Sequence, residues 1–413
     1  MVYGLIGEKL GHSFSPALHA MIGDYPYETL ELTQNELAPF FAARDFKGIN
    51  VTIPYKTAVM PFLDEISPAA RKIGAVNTVV NRGGKLYGYN TDYDGMRYLL
   101  SSCGISVAGK KVLILGSGGT SKTALALAGD LGAKEVIRVS RKAETDGTVD
   151  YETARREHAD ADLLIDTTPV GMYPTCEGSP VDLDDYPALS GVVGVVYHPL
   201  RTELVERARR RGIPAVGGLA MLVAQGVRAS EYFLDTRYPD TLTFSIANKI
   251  EREKSHIILI GMPGVGKSTI GKTLAAHLNR PFFDTDLEVA RRAGCDIPTL
   301  FATKGEIYFR NLETAVLKEI AYEHTGAVIA TGGGAPMREE NRLALGRTGC
   351  LFWLTRPLSE IMPTSDRPLS RDREALEKRY AERRPVYSAA ADYEIPVTGD
   401  PETAIQKIRE VWK

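Results

Sequence analysis

Short aliphatic runs recur along this chain, each followed by a stretch of helical period, and that alternation admits few folds. The runs are VYGLIG, GINVTI, KVLILG, EVIRVS, DLLIDTT, VVGVVY, HIILIG, AVIATGGG and CLFWL; TSKTALALAGDLGA and STIGKTLAAHL are two of the helical stretches between them. Strands alternating with amphipathic helices build βαβ units, so the chain is expected to be α/β with parallel sheets. Its 413 residues exceed one hydrophobic core and predict two or three domains. A first lobe runs to about residue 100 and ends in GYNTDYDG; a fresh strand and glycine turn at KVLILGSGGT open a second lobe, 101–234. Residues 235–250 are expected to return to the first lobe as a helix. KIEREK, 249–254, reads as a linker, and residues 255–413 as a separate domain.

Charge and hydropathy narrow the class further. Fifty basic side chains balance fifty-two acidic ones, which argues for no nucleic-acid partner and no membrane surface. No apolar run approaches the roughly 18 residues of a membrane span, and MVYGLIGEKL lacks a basic n-region ahead of an apolar stretch. A cytoplasmic enzyme acting on small molecules is the expectation. Cys103, Cys176, Cys295 and Cys350 are scattered with no C-x-x-C pair, so they are expected to be buried, reduced thiols.

The run HIILI leads into GMPGVGKST, residues 261–269, and then a helical pattern. A strand, a glycine-rich loop ending in Lys-Ser and a helix together form a phosphate cradle. Backbone N–H groups of Gly264, Val265 and Gly266 turn toward the phosphates, Lys267 neutralises them, Ser268 ligates magnesium, and Thr269 follows at the helix start. A phosphotransferase using ATP and Mg2+ is implied. FFDTD then sets Asp284 and Asp286 two apart on an extended segment, facing the same way. One could hold magnesium through water while the other takes a hydroxyl proton; a helix cap or a solvated turn is the alternative. Arg310 and Glu313 lie three apart on one helical face, as a surface pair would. ATGGGA, 330–335, is a glycine turn at a strand end, SDRPLS carries Arg367 and ERRPVY carries Arg383.

Five of these motifs, the P-loop, DTD, the F-R-x-x-E helix, the GGG turn and R-x-P-x-Y, resemble shikimate kinase in order and spacing over about residues 255–413. By that resemblance Asp286, Arg310, Gly333 and Arg383 bind shikimate, with Glu313 orienting Arg310. Asp286 is the base for the 3-hydroxyl, Asp284 supports magnesium through water, and Lys267 and Arg367 serve catalysis, Arg367 from a lid that closes over ATP. The stretch from Thr355 to Arg371 is compact for that lid.

In the first half, Gly116, Ser117, Gly118, Gly119 and Thr120 form a glycine turn between a strand and a helix, the layout that seats a pyrophosphate on a helix N-terminus. The next strand ends in Ser140, Arg141 and Lys142. Basic residues at that point favour the 2′-phosphate of NADP, and a solvated turn is the alternative. GHSFSPALHA sets Ser13 and Ser15 before a helix that Pro16 can start, where they could cap it or hold a polar ligand. NVTIPYK offers Asn50, Thr52 and Lys56, GAVNT offers Asn77, and GYNTD offers Asp92. A lysine near an aspartate in a cleft can move protons.

HSxSP, N-x-T-x-P-x-K, GAVNT, N-T-D, the glycine turn, T-P-x-G-M (168–172), Y-x-P-L-x-T (197–202) and MLVAQ (221–225) resemble shikimate dehydrogenase over about residues 1–250. The resemblance implies a two-lobed α/β enzyme with a Rossmann NADP lobe, followed by a P-loop domain of the nucleoside-monophosphate-kinase type. Ser13, Ser15, Thr52, Asn77, Asp92, Tyr197 and Gln225 would hold shikimate, and Lys56 would be the acid/base residue beside Asp92. Gly116 to Thr120, Arg141 and Gly218 would hold NADP. Asp166, Ser140 and Gly194 stand where the family commonly has Asn, Asn and Asp, all around the cofactor lobe. The combined expectation is a bifunctional enzyme that reduces 3-dehydroshikimate and then phosphorylates the shikimate formed. The alternatives are a quinate/shikimate dehydrogenase joined to a kinase of another acceptor, or a catalytically inactive sensor of shikimate or quinate. Oligomeric assembly is left open.

Overall fold

The computed structural model describes residues 2–11, 13–142, 147–361 and 373–412. Its contacts divide the chain into two compact units. The first comprises Met1–Met172, Glu177–His198 and Arg207–Lys249; the second comprises Tyr173–Cys176, Pro199–Glu206 and Ile250–Lys413.

Two six-stranded sheets build the first unit. Strands β1 (Tyr3–Gly7), β2 (Glu28–Glu31), β3 (Gly48–Val51), β4 (Glu65–Ile66), β5 (Thr78–Arg82) and β6 (Lys85–Tyr89) form one sheet in the order β2-β1-β3-β5-β6-β4. Its β2-β1-β3 half is parallel as expected, while β3, β5 and β6 add an antiparallel part. The reason is local. Arg82 faces Lys85 across a two-residue turn in which Gly83 and Gly84 both have positive φ, +60° and +88°, the conformation that folds a strand directly back. Ile6, Ile49, Val79 and Leu86 are fully buried in this layer, and each such side chain contributes about 1.5–3 kcal/mol.

The other sheet is parallel throughout. Strands β7 (Lys111–Leu115), β8 (Glu135–Val139), β9 (Thr148–Val149), β10 (Leu163–Asp166), β11 (Gly191–Gly194) and β12 (Ala215–Val216) run in the order β12-β11-β10-β7-β8-β9. The order reverses between β7 and β10, and in such sheets the crevice at the strand C-termini beside that reversal receives ligands. Helices α1 (Ser15–Ile22), α2 (Thr91–Ser102), α3 (Gly119–Asp130), α4 (Leu219–Leu234) and α5 (Thr241–Lys254) cover the layers. Helix α4, expected in the second lobe, packs on the first sheet as well as the second. Its Phe233 stacks on Tyr3 with ring centroids 5.4 Å apart, while Met221 lies in the core with Val112 and Ile114. Residues 249–254, read as a linker, are the last turns of α5, where Ile246 and Ile250 continue one buried face and Lys, Glu and Arg favour helix; the division between the units falls there, between Lys249 and Ile250.

In the second unit β13 (His256–Ile260), β14 (Phe282–Asp284), β15 (Val328–Ala330), β16 (Gly349–Thr355) and β17 (Tyr393–Pro396) form a parallel sheet in the order β14-β15-β13-β16-β17. Every residue of the central β13 is buried, which explains its unbroken apolar run. Helix α6 (Lys267–Leu278) follows the P-loop; α7 (Thr285–Ala293), α8 (Ile297–Glu323) and α9 (Arg373–Ala390) complete the frame used below. Helix α8 is two helical stretches meeting at Gly305, whose φ of +81° and ψ of +170° are not helical. Residues 173–176 and 199–206, expected in the cofactor lobe, belong to this unit, where the buried Arg347 donates to the carbonyls of Cys176 and Arg201. Of the four cysteines, none paired in a disulfide, only Cys176 is buried; Cys103 is exposed and the other two are half-buried. No helix among the described residues is long and apolar enough to cross a membrane.

Candidate active sites

The first unit holds a cavity of about 530 Å3 at the ends of both sheets, and Ser13, Ser15, Thr52, Lys56, Asn77, Asp92, Tyr197 and Gln225 all line it. Residues scattered over more than 200 positions of sequence thus meet at one place. The Lys56 Nζ donates to Asp92 Oδ2 at 2.6 Å, and both side chains are partly shielded, at 28% and 17% exposure. Asp92 is placed by the start of α2. Asn90 caps that helix by accepting from the Tyr93 N–H, and the Thr91 N–H donates to Asn77 Oδ1 at 2.7 Å. Asn77 is therefore both a wall of the cavity and a clamp on the helix that carries Asp92. The two serines do not cap α1 with their side chains; Ser13 Oγ instead accepts from the Ser15 N–H at 3.3 Å.

Two neighbours escaped the site set drawn from sequence. Asn50 lines the cavity, donates to Thr78 Oγ1 at 3.0 Å, and accepts from the Tyr27 hydroxyl at 2.7 Å. Asn50 stood in the NVTIPYK motif, whereas nothing in sequence marks Tyr27.

Of the residues expected to hold NADP, Thr120 and Gly218 reach this cavity; Gly116, Ser117, Gly118 and Gly119 form the turn before α3, and Arg141 is exposed just beyond β8. The turn fits a pyrophosphate. A Cβ at Gly118 or Gly119 would meet no protein atom within 4 Å, so the helix N-terminus stands open, while one at Gly116 would strike Thr167 Oγ1 at 2.6 Å. At Gly218 a Cβ would fall 2.0 Å from the Val195 carbonyl oxygen, so only glycine lets the chain enter α4 there. Asp166 closes β10 and is fully buried. Its Oδ1 accepts from the Thr168 N–H and hydroxyl at 2.9 and 2.7 Å, its Oδ2 has no hydrogen-bond partner among the described residues, and burial pushes its carboxyl up to about 6.

The second unit holds a cavity of about 520 Å3 lined by Asp286, Arg310, Gly333 and Arg383, together with Ser268, Asp284 and Glu313. The P-loop borders it. Gly261 and Gly266 adopt φ of +141° and +107°, values open to glycine. Lys267 is buried and donates to the carbonyls of Gly261 and Met262 at 2.9 and 3.0 Å, within its own loop. Ser268 Oγ donates to Asp284 Oδ2 at 2.5 Å, which brings together hard oxygen donors of the kind magnesium takes. Gly264, Val265 and Thr269 complete the loop and the helix start. Asp284 and Asp286 are not on one extended segment, which corrects the sequence expectation. Asp284 ends β14 and caps α7, its Oδ1 accepting from the Asp286 and Leu287 N–H groups, so Asp286 sits in the first helical turn. Asp284 thus caps α7 with one oxygen and accepts from Ser268 with the other.

Arg310 and Glu313 are no surface pair. Arg310 Nη1 donates to Glu313 Oε2 at 2.7 Å, and the Glu313 side chain is 1% exposed. Burial pushes its carboxyl up while the guanidinium of Arg310 pulls it down. The glycine turn is required by these side chains rather than by backbone conformation. A Cβ at Gly332 would lie 2.4 Å from Asp286 Oδ1 and 2.7 Å from Glu313 Oε1, one at Gly333 2.8 Å from Pro263 Cδ and 3.1 Å from Arg383 Nη1, and one at Gly334 2.3 Å from Arg310 Nη1. Arg379, which the sequence reading passed over, also lines this cavity. Arg367 lies outside the described residues.

A shikimate dehydrogenase (NADP(+)) from Clostridium beijerinckii is 36% identical over 265 residues, covering 61% of this chain and 98% of that protein. The chain belongs to the shikimate dehydrogenase family. The family model for the shikimate dehydrogenase substrate binding domain matches residues 5–79, and that for shikimate kinase matches residues 263–413. A shikimate dehydrogenase (NADP(+)) from Caldicellulosiruptor bescii is 39% identical over 254 residues, covering 56% of this chain and 88% of its own. Among solved structures, a chorismate mutase/shikimate 5-dehydrogenase fusion protein from Clostridium acetobutylicum matches with a TM-score of 0.58 at 36% identity, over 60% of this chain and 96% of that one. The shikimate 5-dehydrogenase of Thermus thermophilus, solved in complex with NADP(H) and shikimate, matches with a TM-score of 0.53 at 30% identity, over 60% of this chain and 99% of its own. The chain is thus an enzyme with a shikimate dehydrogenase module followed by a shikimate kinase module, and the two cavities lie one in each.

Proposed function

We propose that the dehydrogenase module reduces 3-dehydroshikimate to shikimate with NADPH, and that the kinase module converts shikimate to shikimate 3-phosphate with ATP, consecutive steps toward chorismate and the aromatic amino acids. The observation that supports this most is the Lys56 and Asp92 pair, 2.6 Å apart in one cavity with Ser13, Ser15, Thr52, Asn77, Tyr197 and Gln225. NADPH supplies a hydride in the first module, and magnesium ATP a phosphoryl group in the second.

In the first step the Lys56 ammonium donates a proton to the C3 oxygen of the substrate as negative charge grows there, and Asp92 holds Lys56 aimed at it. The hydroxyls of Ser13, Ser15, Thr52 and Tyr197 and the amides of Asn77 and Gln225 hold the carboxylate and hydroxyls of the ring. Gly116, Ser117, Gly118, Gly119, Thr120 and Gly218 are the residues for the NADP backbone, and Arg141 for its 2′-phosphate. In the second step Asp286 takes the proton of the 3-hydroxyl. Arg310, held by Glu313, and Arg383 bind the carboxylate, and Gly333 gives close backbone approach. Gly264, Val265, Gly266, Lys267 and Thr269 are the residues for the ATP phosphates, with Ser268 and Asp284 for magnesium.

The test uses the full chain. Given 3-dehydroshikimate and NADPH it should oxidise NADPH, and on addition of magnesium ATP it should form ADP; activity in neither phase overturns the proposal.

A further inference from the structure

Helix α9 turns one stripe inward: Leu376, Arg379, Arg383, Tyr387 and Ala390, spaced three or four residues apart as a core-facing helix requires. Leu376, Tyr387 and Ala390 are buried in the apolar core of the second unit. The two positions between them are arginines, and both face the kinase cavity. Arg310, across that cavity, is balanced by Glu313 at 2.7 Å and by Glu306 at 3.4 Å. Arg379 is not balanced. Half-buried, it enters no hydrogen bond and no ion pair among the described residues. Burial first and the Arg383 guanidinium second push its pKa down, while the carboxylates of Glu306 and Glu382 each push the other way more weakly. A guanidinium withdrawn from water beside a like charge costs stability unless something anionic meets it. Two guanidiniums four residues apart on one helix face can share one anion, which turns their repulsion into a binding contribution.

We infer that Arg379 is a third guanidinium for the carboxylate of the kinase acceptor, joining Arg383 on α9 and Arg310 on α8, so that the site selects a small polyhydroxylated monocarboxylate by charge as well as by shape. The inference rests on shikimate being the acceptor. Arg379 also explains why an apolar stripe is interrupted twice, where one arginine would have served a single ion pair.

The experiment compares Arg379→Gln and Arg379→Lys with wild type in the full chain, using shikimate and its neutral carboxamide as ligands. In Arg379→Gln the KM and Kd for shikimate should rise about tenfold, with kcat within about twofold and the KM for ATP unchanged. Arg379→Lys should recover part of that loss. The carboxamide, lacking the charge, should bind wild type and Arg379→Gln alike. An equal loss for acid and carboxamide would assign Arg379 to packing and overturn the inference, as would no loss for either. Wild type that binds and phosphorylates no shikimate would instead overturn the acceptor itself, and this inference with it.

Discussion

The two cavities are nearly equal in volume and are proposed to hold the same ring, yet they are built from different chemistry. The dehydrogenase cavity is walled by hydroxyls and amides around one charge pair, Lys56 with Asp92, already at 2.6 Å. Three guanidiniums dominate the kinase cavity, and the P-loop lysine is turned onto the carbonyls of its own loop. In the proposed function the Lys56–Asp92 pair stands ready for a proton transfer, and Lys267 would meet the phosphates of ATP from within its loop. A carboxylate met by neutral donors gains direction, whereas one met by guanidiniums gains charge compensation, so one metabolite can be recognised twice in one chain by unlike means.

The largest expected effects break the comparison cleanly in half. Lys56→Ala should lower kcat for NADPH oxidation about a thousandfold and leave ADP formation intact, and Lys267→Ala should do the reverse; loss of both activities in either variant, in coupled spectrophotometric assays, would contradict two separate sites. Next comes the support of Arg310. Glu313→Gln should raise the KM for shikimate in the kinase assay by about ten- to a hundredfold, with the dehydrogenase KM unmoved, because it leaves Arg310 without its buried partner.

Asp166 sharpens the comparison through pH. Its folded carboxyl is raised from 3.8 to about 6, so the folded state binds that proton more tightly than the unfolded chain. The associated stability is present below about pH 4 and is lost as pH rises through 6. Asp166→Asn should therefore stabilise the dehydrogenase module by about 1–3 kcal/mol at pH 8 and by little at pH 4, read as the Tm of the transition that abolishes NADPH oxidation. An equal gain at both values would refute burial of charge as the cause. The smallest effect is ionic. Raising salt from about 0.05 to about 0.5 M should raise the kinase KM for shikimate about two- to threefold more than the dehydrogenase KM.

Much of this was legible before any coordinates. HIILI running into GMPGVGKST fixes a strand, loop and helix by the steric needs of glycine and the burial of an unbroken apolar run. Lys56 and Asp92 were named from two motifs 36 positions apart, yet their meeting depends on Asn77 clamping α2, a tertiary hydrogen bond that no local pattern encodes. Asn81-Arg82-Gly83-Gly84 carries the glycine pair of a hairpin turn, a local signal that the alternation of strands and helices around it does not contain. Asp284 was ambiguous because a carboxylate has two oxygens, and the structure uses one for the helix and offers the other to Ser268. Arg379 lay hidden in a helix rich in charge, where only the positions of Leu376, Tyr387 and Ala390 reveal which arginines point inward.

The turn at Gly332, Gly333 and Gly334 behaves as a three-channel probe of its surroundings. A single methyl group added at the first position presses on Asp286 and Glu313, at the second on Arg383 and Pro263, and at the third on Arg310. An alanine scan across three adjacent residues would thus perturb the proposed base and each half of the carboxylate clamp one at a time, without altering any of those side chains.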